Sequence, residues 1–166
     1  MKKGKLFGVV SNFLTVVLGA LIFVLMAAPA LTIVTKGSLV DVKDVDYSFY
    51  SFFEGEKPSQ FGIVIIILLC LAVLVALSSL IVTILGKKKK NLVVLLNVLS
   101  GLLFIAVAIC LFLFNVVEGS GDSLNLGSLL DVSVNLGYGA ILGGIVGLVA
   151  ALVEIFSGAL ILTKKK

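Results

Sequence analysis

The sequence predicts an all-α membrane protein: a four-helix antiparallel transmembrane bundle, with room for a small extracytoplasmic β cap. Three observations predict it. Hydrophobic residues make up 60% of the 166-residue chain and its mean hydropathy is +1.28, more apolar surface than a water-soluble domain of this size could hide. The apolar residues gather in four runs, each reaching the ~20 residues that a helix needs to cross about 30 Å of hydrocarbon. The charges are sorted between these runs. Ten of the thirteen lysines form three clusters, Lys2, Lys3 and Lys5, then residues 87–90, then residues 164–166. Lys-rich loops stay cytoplasmic while carboxylates matter little for orientation, so both termini and the central loop are expected inside. The whole chain, 1–166, then reads as one polytopic domain in a plasma membrane, with outer segments at 29–60 and 118–137.

The first span covers 6–28. It begins beside lysines and ends in Ala28-Pro29-Ala30, which resembles a small-residue cleavage site. Its length exceeds the roughly 7–15 residues of a signal-peptide core, so retention as a true span is the expectation, with Pro29 marking the helix end. The outer segment that follows alternates through Val40, Val42, Val45, Tyr47 and Phe49 into Phe49-Tyr50-Ser51-Phe52-Phe53. Period two argues for strand. Residues 47–53 lying flat at the outer interface is an equal reading, since aromatic rings suit the headgroup boundary. In either case, packing or anchoring is favoured over a partner-binding surface.

The second span, 61–85, follows Pro58 and stops at Gly86, ahead of four lysines. The third covers 92–117. Both are long enough to tilt. The second outer segment repeats Leu124-Asn125-Leu126-Gly127 as Val134-Asn135-Leu136-Gly137 and can pair with the first as a small sheet. The fourth span, 138–162, ends at the terminal lysines. Short inner connections suggest antiparallel neighbours.

On the fourth span Gly139, Gly143, Gly147 and Ala151 recur every four residues, the small-xxx-small pattern that lets another helix approach closely. Helix packing is the reading for these positions. The other spans carry matching small or polar stripes: Gly8, Asn12, Thr15 and Gly19; Ala72, Ala76, Ser79 and Thr83; Asn97, Ser100, Gly101 and Ala108. Counted from the inner lysines at about 1.5 Å per residue, Asn12, Ser79, Asn97 and Glu154 all lie roughly 10 to 15 Å deep. They are expected to form one intramembrane polar layer. Glu154 is the one carboxylate within the spans and has no cationic partner there, so it is expected protonated and hydrogen-bonded to Asn97, Ser79 or Asn12. The layer then serves either as glue fixing helix register or as a proton or cation site.

Other chemistries lack their residues. No His is present, and with no intramembrane Lys there is no base to activate a Ser, Thr or Cys hydroxyl or thiol. A lone Glu does not make an acid/base pair. Cys70 and Cys110 sit inside apolar runs, as small buried hydrophobes and not as a disulfide or zinc set. The outer carboxylates Asp41, Asp44, Asp46, Glu54, Glu56, Glu118, Asp122 and Asp131 show no EF-hand spacing and read as a solvated acidic face. No catalytic, cofactor or metal site is expected, and nucleic-acid binding is not needed to explain the lysines.

Lys-rich start, four spans, aromatic and acidic first outer loop, and the motif Leu136-Gly137-Tyr138-Gly139-Ala140-Ile141-Leu142-Gly143-Gly144 together resemble uncharacterised small four-transmembrane proteins of Gram-positive bacteria and mollicutes. The resemblance implies a bacterial plasma membrane, and the all-lysine basic complement suits an AT-rich genome. It implies no activity. Claudin-like tetraspans share the span count, but the paired outer cysteines and the Trp of their signature are missing. The expected role is therefore structural or interactive, as an accessory subunit or homo-oligomer whose partners are the bilayer and a membrane protein or itself. The alternative is a small transporter or channel component with Glu154 as its proton or cation group.

Overall fold

In the computed structural model, which describes residues 3–37, 44–54, 59–85, 90–118 and 130–163, the chain is mostly helical with one small sheet. Outside the described residues lie Lys2, residues 87–89 and 164–166 of the lysine clusters, Val40, Val42, Asp41, Glu56, Asp122 and the 124–127 half of the repeat. Four helices are long and apolar enough to cross a membrane: α1 (Lys3–Leu25), α2 (Gln60–Leu85), α3 (Lys90–Phe112) and, after the short α4 (Phe114–Glu118), α5 (Tyr138–Thr163).

Two boundaries differ from the hydropathy reading. Helix α1 stops at Leu25 and not at 28, because the chain tightens ahead of Pro29: Ala27 N donates to Val24 O and Ala28 N to Leu25 O, the three-residue bonds of a closing turn. The third span is not one helix over 92–117. It breaks after Phe112, and Val116 N and Val117 N both turn to Leu113 O. That break carries Phe114, which is fully buried, into a group of rings.

Pro29 opens strand β1 (Pro29–Gly37), where a missing N–H costs little. With β2 (Asp44–Ser48) and β3 (Leu130–Leu136) it forms an antiparallel sheet in the order β2-β1-β3. The register sets Leu31 opposite both Tyr47 and Leu136, and Ile33 opposite Val45 and Val134. Alternation puts these on one face, from which Leu31, Val134 and Leu136 pack on the core. On the other face Thr32 Oγ1 donates to Asp46 Oδ1 at 2.7 Å.

The strand reading fails beyond Ser48. Ser48 caps a 3-10 turn over Phe49–Phe53, its hydroxyl accepting from Ser51 N, and Phe49 is buried. Phe114 packs with Phe49 and Phe52 at ring-centroid distances of 4.9 and 5.1 Å and stacks on Phe61 at 6.3 Å. Tyr50 Oη donates to Phe23 O at 2.8 Å. These rings close one end of the helices, and burying them wins over continued strand.

Helix α1 packs on α2 and α5, and α3 packs on the same two, so the contacts close a cycle. Opposed registers make neighbours antiparallel: Ser11 meets Ser157 while Ile22 reaches Gly143, and Asn97 meets Gly158 while Phe112 covers Gly144. The starts of α1 and α3 therefore share one end with the finishes of α2 and α5. The sheet and the aromatic rings occupy the other.

Candidate functional site

Glycine and alanine decide how α5 sits. At about 100° per residue a four-residue repeat drifts by about 40° each step, so the stripe does not face a single helix. A Cβ on Gly139 would stand 2.8 Å from Leu25 O and Ala28 O, while one on Gly143 would meet Leu111 at 3.2 Å and Ile22 at 3.8 Å. Gly147 meets Ala108 and the Phe104 carbonyl on α3, and Ala151 O lies against Gly101. The stripe thus begins on α1 and ends on α3, and Glu154 projects between the two.

Glu154 is 0% exposed. Around it Asn12, Thr15, Ser79, Asn97, Ser100 and Ser157 are equally buried, and Ser11 nearly so. Asn12 Nδ2 donates to Ser79 Oγ at 2.8 Å, and Ser79 Oγ in turn bonds the side chain of Asn97. The Asn97 amide has two orientations, assigned by its partners. With oxygen toward Ser79, it accepts that hydroxyl. With nitrogen there, Nδ2 faces three acceptors with its two hydrogens, Ser79 Oγ, Glu154 Oε2 at 3.3 Å and Val93 O at 3.1 Å, and Oδ1 accepts from Ser157 Oγ at 3.3 Å; links to Ser79 and Glu154 coexist only in this orientation. The Thr15 hydroxyl meets the Glu154 carboxyl from α1.

The result is a ring. With the Asn97 nitrogen toward Ser79 it passes from Asn12 on α1 to Ser79 on α2, to Asn97 on α3, to Glu154 on α5, and back to α1 at Thr15. A strut beside it joins Ser11 Oγ and Ser157 Oγ at 2.8 Å. The structure thus brings together Asn12, Ser79, Asn97 and Glu154. Of the three partners expected for Glu154, Asn97 touches it directly, whereas Ser79 and Asn12 are one and two links away. Sequence reasoning passed over Ser11. The signal was a hydroxyl inside the first apolar run, next to Asn12.

No known protein-family model matches the chain, and no curated protein does. What the site does must be read from its own atoms.

The surroundings of the ring are asymmetric. On its cap side the interior holds Ile22, Leu69, Phe104, Val107 and Leu111, all within 1% of complete burial. Toward the other end polar groups continue through Ser11, Ser157 and the half-buried Thr83, which lies 3.4 Å from Asn12 Nδ2. Two oxygens of the ring are unmatched. Among the described residues, Glu154 Oε1 and Asn12 Oδ1 are the buried side-chain polar atoms without a hydrogen-bond partner, and both are acceptors.

Proposed function

We propose that this chain is an integral membrane protein that crosses the plasma membrane four times, with both termini cytoplasmic, and serves as a structural or interaction protein. Its outward surfaces support the membrane reading. Val10, Phe13 and Val24 on α1, Ile67 and Leu74 on α2, Leu95 and Leu102 on α3, and Leu152 and Phe156 on α5 are all exposed, a girdle far larger than a soluble surface tolerates. In sequence the lysine clusters adjoin the start of α1, the junction of α2 and α3 and the finish of α5, while the acidic segments adjoin the opposite helix ends, the pattern that retention of Lys-rich loops gives.

One observation carries the structural role. With the Asn97 nitrogen toward Ser79, side-chain hydrogen bonds link all four helices at one level, and the interior on the cap side is filled with apolar side chains. Interhelical hydrogen bonds and close contacts at small residues are what hold helices together in lipid. Among the described residues, no polar path continues from the ring to the capped end. A unit of this kind presents a rigid apolar girdle and a folded cap to another membrane protein or to a second copy of itself.

The test is recovery of the intact chain from native membranes after mild crosslinking, together with ion flux in proteoliposomes. A discrete complex, homomeric or with one membrane protein, and flux no greater than that of empty vesicles are expected. The unmatched oxygens favour a second reading, a transporter or channel component with Glu154 as its ion group. Flux that Glu154→Gln abolishes would establish it instead.

A further inference from the structure

We infer that the end of the bundle where α1 and α3 start and α2 and α5 finish binds anionic phospholipid headgroups, through Lys2, Lys3 and Lys5, residues 87–90 and residues 164–166. This rests on the membrane reading and adds to it a class of lipid that the protein selects.

The first ground is charge balance. The three clusters bring ten lysines to that end. No carboxylate side chain accompanies them: positions 1–40 and 58–117 contain none, and beyond Asp131 the chain has only Glu154, which is 0% exposed within the polar layer. The other eight carboxylates belong to segments that adjoin the opposite helix ends. Backbone dipoles do not fill the gap. Two helix starts and two helix finishes meet here, so their partial charges of about half a unit, positive and negative, cancel. The neutralising charge therefore comes from outside the protein.

The second ground is convergence. Lys90 Nζ donates to Leu162 O at 3.4 Å, so the start of α3 reaches the finish of α5. The start of α1 lies beside the same helix, where Ser11 Oγ and Ser157 Oγ are 2.8 Å apart. Covalent continuity extends the patch. Residues 87–89 bridge Leu85 to Lys90 and residues 164–166 follow Thr163 directly, and a chain advances at most about 3.6 Å per residue. The finish of α5 thus carries one cluster and packs between the helices that carry the other two.

The third ground identifies the anion. Exposed apolar side chains run up to the lysines: Leu6, Leu85 and Leu162 are 53%, 64% and 56% exposed, and they stand one or two positions from Lys5, Lys87 and Lys164. Acyl chains that cover these leucines set their phosphates at the height of the lysines, whose stems lie along apolar surface while the ammonium reaches the headgroup. A soluble polyanion would meet the same lysines only over the edge of an apolar girdle. An ammonium is a compact charge with three donors and demands no particular headgroup shape, so the selection is by charge.

The experiment is electron spin resonance of the full chain in phosphatidylcholine nanodiscs doped with spin-labelled lipid, in which motionally restricted label reports lipid held at the protein. Phosphatidylglycerol and phosphatidylserine are both expected to associate about fivefold more strongly than phosphatidylcholine, the preference that the pull of an anionic headgroup on one lysine gives. The preference should fall toward unity in about 1 M salt, where the screening length shrinks to about 3 Å. Glutamine in place of the lysines at 87–90, or of those at 164–166, should lower it, and one cluster is changed at a time so that the other two keep the orientation. Lys36→Gln should leave it unchanged. Should a cluster variant fail to fold, the salt series on the wild-type chain gives the same reading. Three outcomes overturn the inference: equal association of all three lipids at low salt, a preference that persists in about 1 M salt, or one untouched by either cluster change. Equal lipid association with an RNA oligomer retained on the nanodisc would assign the lysines to a soluble polyanion instead. A chain that does not enter the bilayer sinks the membrane reading, whereas an inserted chain without lipid preference sinks this inference alone.

Discussion

At the scale of single residues, the glycines in and just before the fourth long helix divide into two kinds that look alike in sequence. Gly137 and Gly139 face backbone: a Cβ on Gly137 would collide with the Pro29 carbonyl, and one on Gly139 would lie 2.8 Å from two carbonyl oxygens. None of these three carbonyls can swing aside, so Gly137→Ala and Gly139→Ala should each cost about 1–3 kcal/mol. Gly158 is different. Its nearest neighbour is Asn97 Cβ at 3.5 Å, an ordinary contact, and Gly158→Ala should hold stability level or raise it by up to about 1 kcal/mol through helix propensity. Unfolding midpoints of the three variants in nanodiscs check the contrast. The members of the polar ring were legible because buried polar groups in apolar helices are few and share a depth. Which of them touch was not, since depth along an axis says nothing about the order of helices around it. The contact from Thr15 and the Ser11–Ser157 pair depend on that order.

At the scale of elements, the ends of α2 and α5 were legible to within a residue, because composition changes there from apolar to charged or glycine. The break between α3 and α4 was not, since Leu111-Phe112-Leu113-Phe114 reads as unbroken apolar sequence. What ends α3 is tertiary: Phe114 completes the cluster of Phe49, Phe52 and Phe61. Phe114→Ala should cost about 3–5 kcal/mol, with protease sensitivity rising first in residues 44–54, which rest on that ring. Loss of stability without a change near residues 44–54 would show that the cluster does not hold the cap. The same cluster explains why period two misled at Phe49. Alternation registers which side chains want burial, but a 3-10 turn can bury Phe49 while leaving Tyr50 exposed as well as a strand can.

At the scale of the molecule, the sorting of charge predicts an orientation that a thiol reagent can read. In a chain with Cys70 and Cys110 replaced by serine, Asp46→Cys should react with an impermeant maleimide on intact cells, and Lys90→Cys only after permeabilisation. Both positions are exposed, so the reverse pattern would invert the topology. The fold's layout also sets an order of assembly. Strand β1 leaves α1 directly and β3 runs directly into α5, with the ladder carried on by Gly137 N donating to Ala30 O at 2.7 Å. Pairing of β1 with β3 and packing of α1 on α5 are therefore one continuous seam between the two ends of the chain. Before residues 130–163 are made β1 has only β2 to pair with, so the seam closes late, by a long-range closure of the kind that slows folding. A chain truncated after residue 129 should leave that edge open and be cleared by membrane proteases, whereas supplying residues 130–166 as a separate chain should rescue it. The cap thus works as a clasp, fastening the strand that follows α1 to the strand that precedes α5.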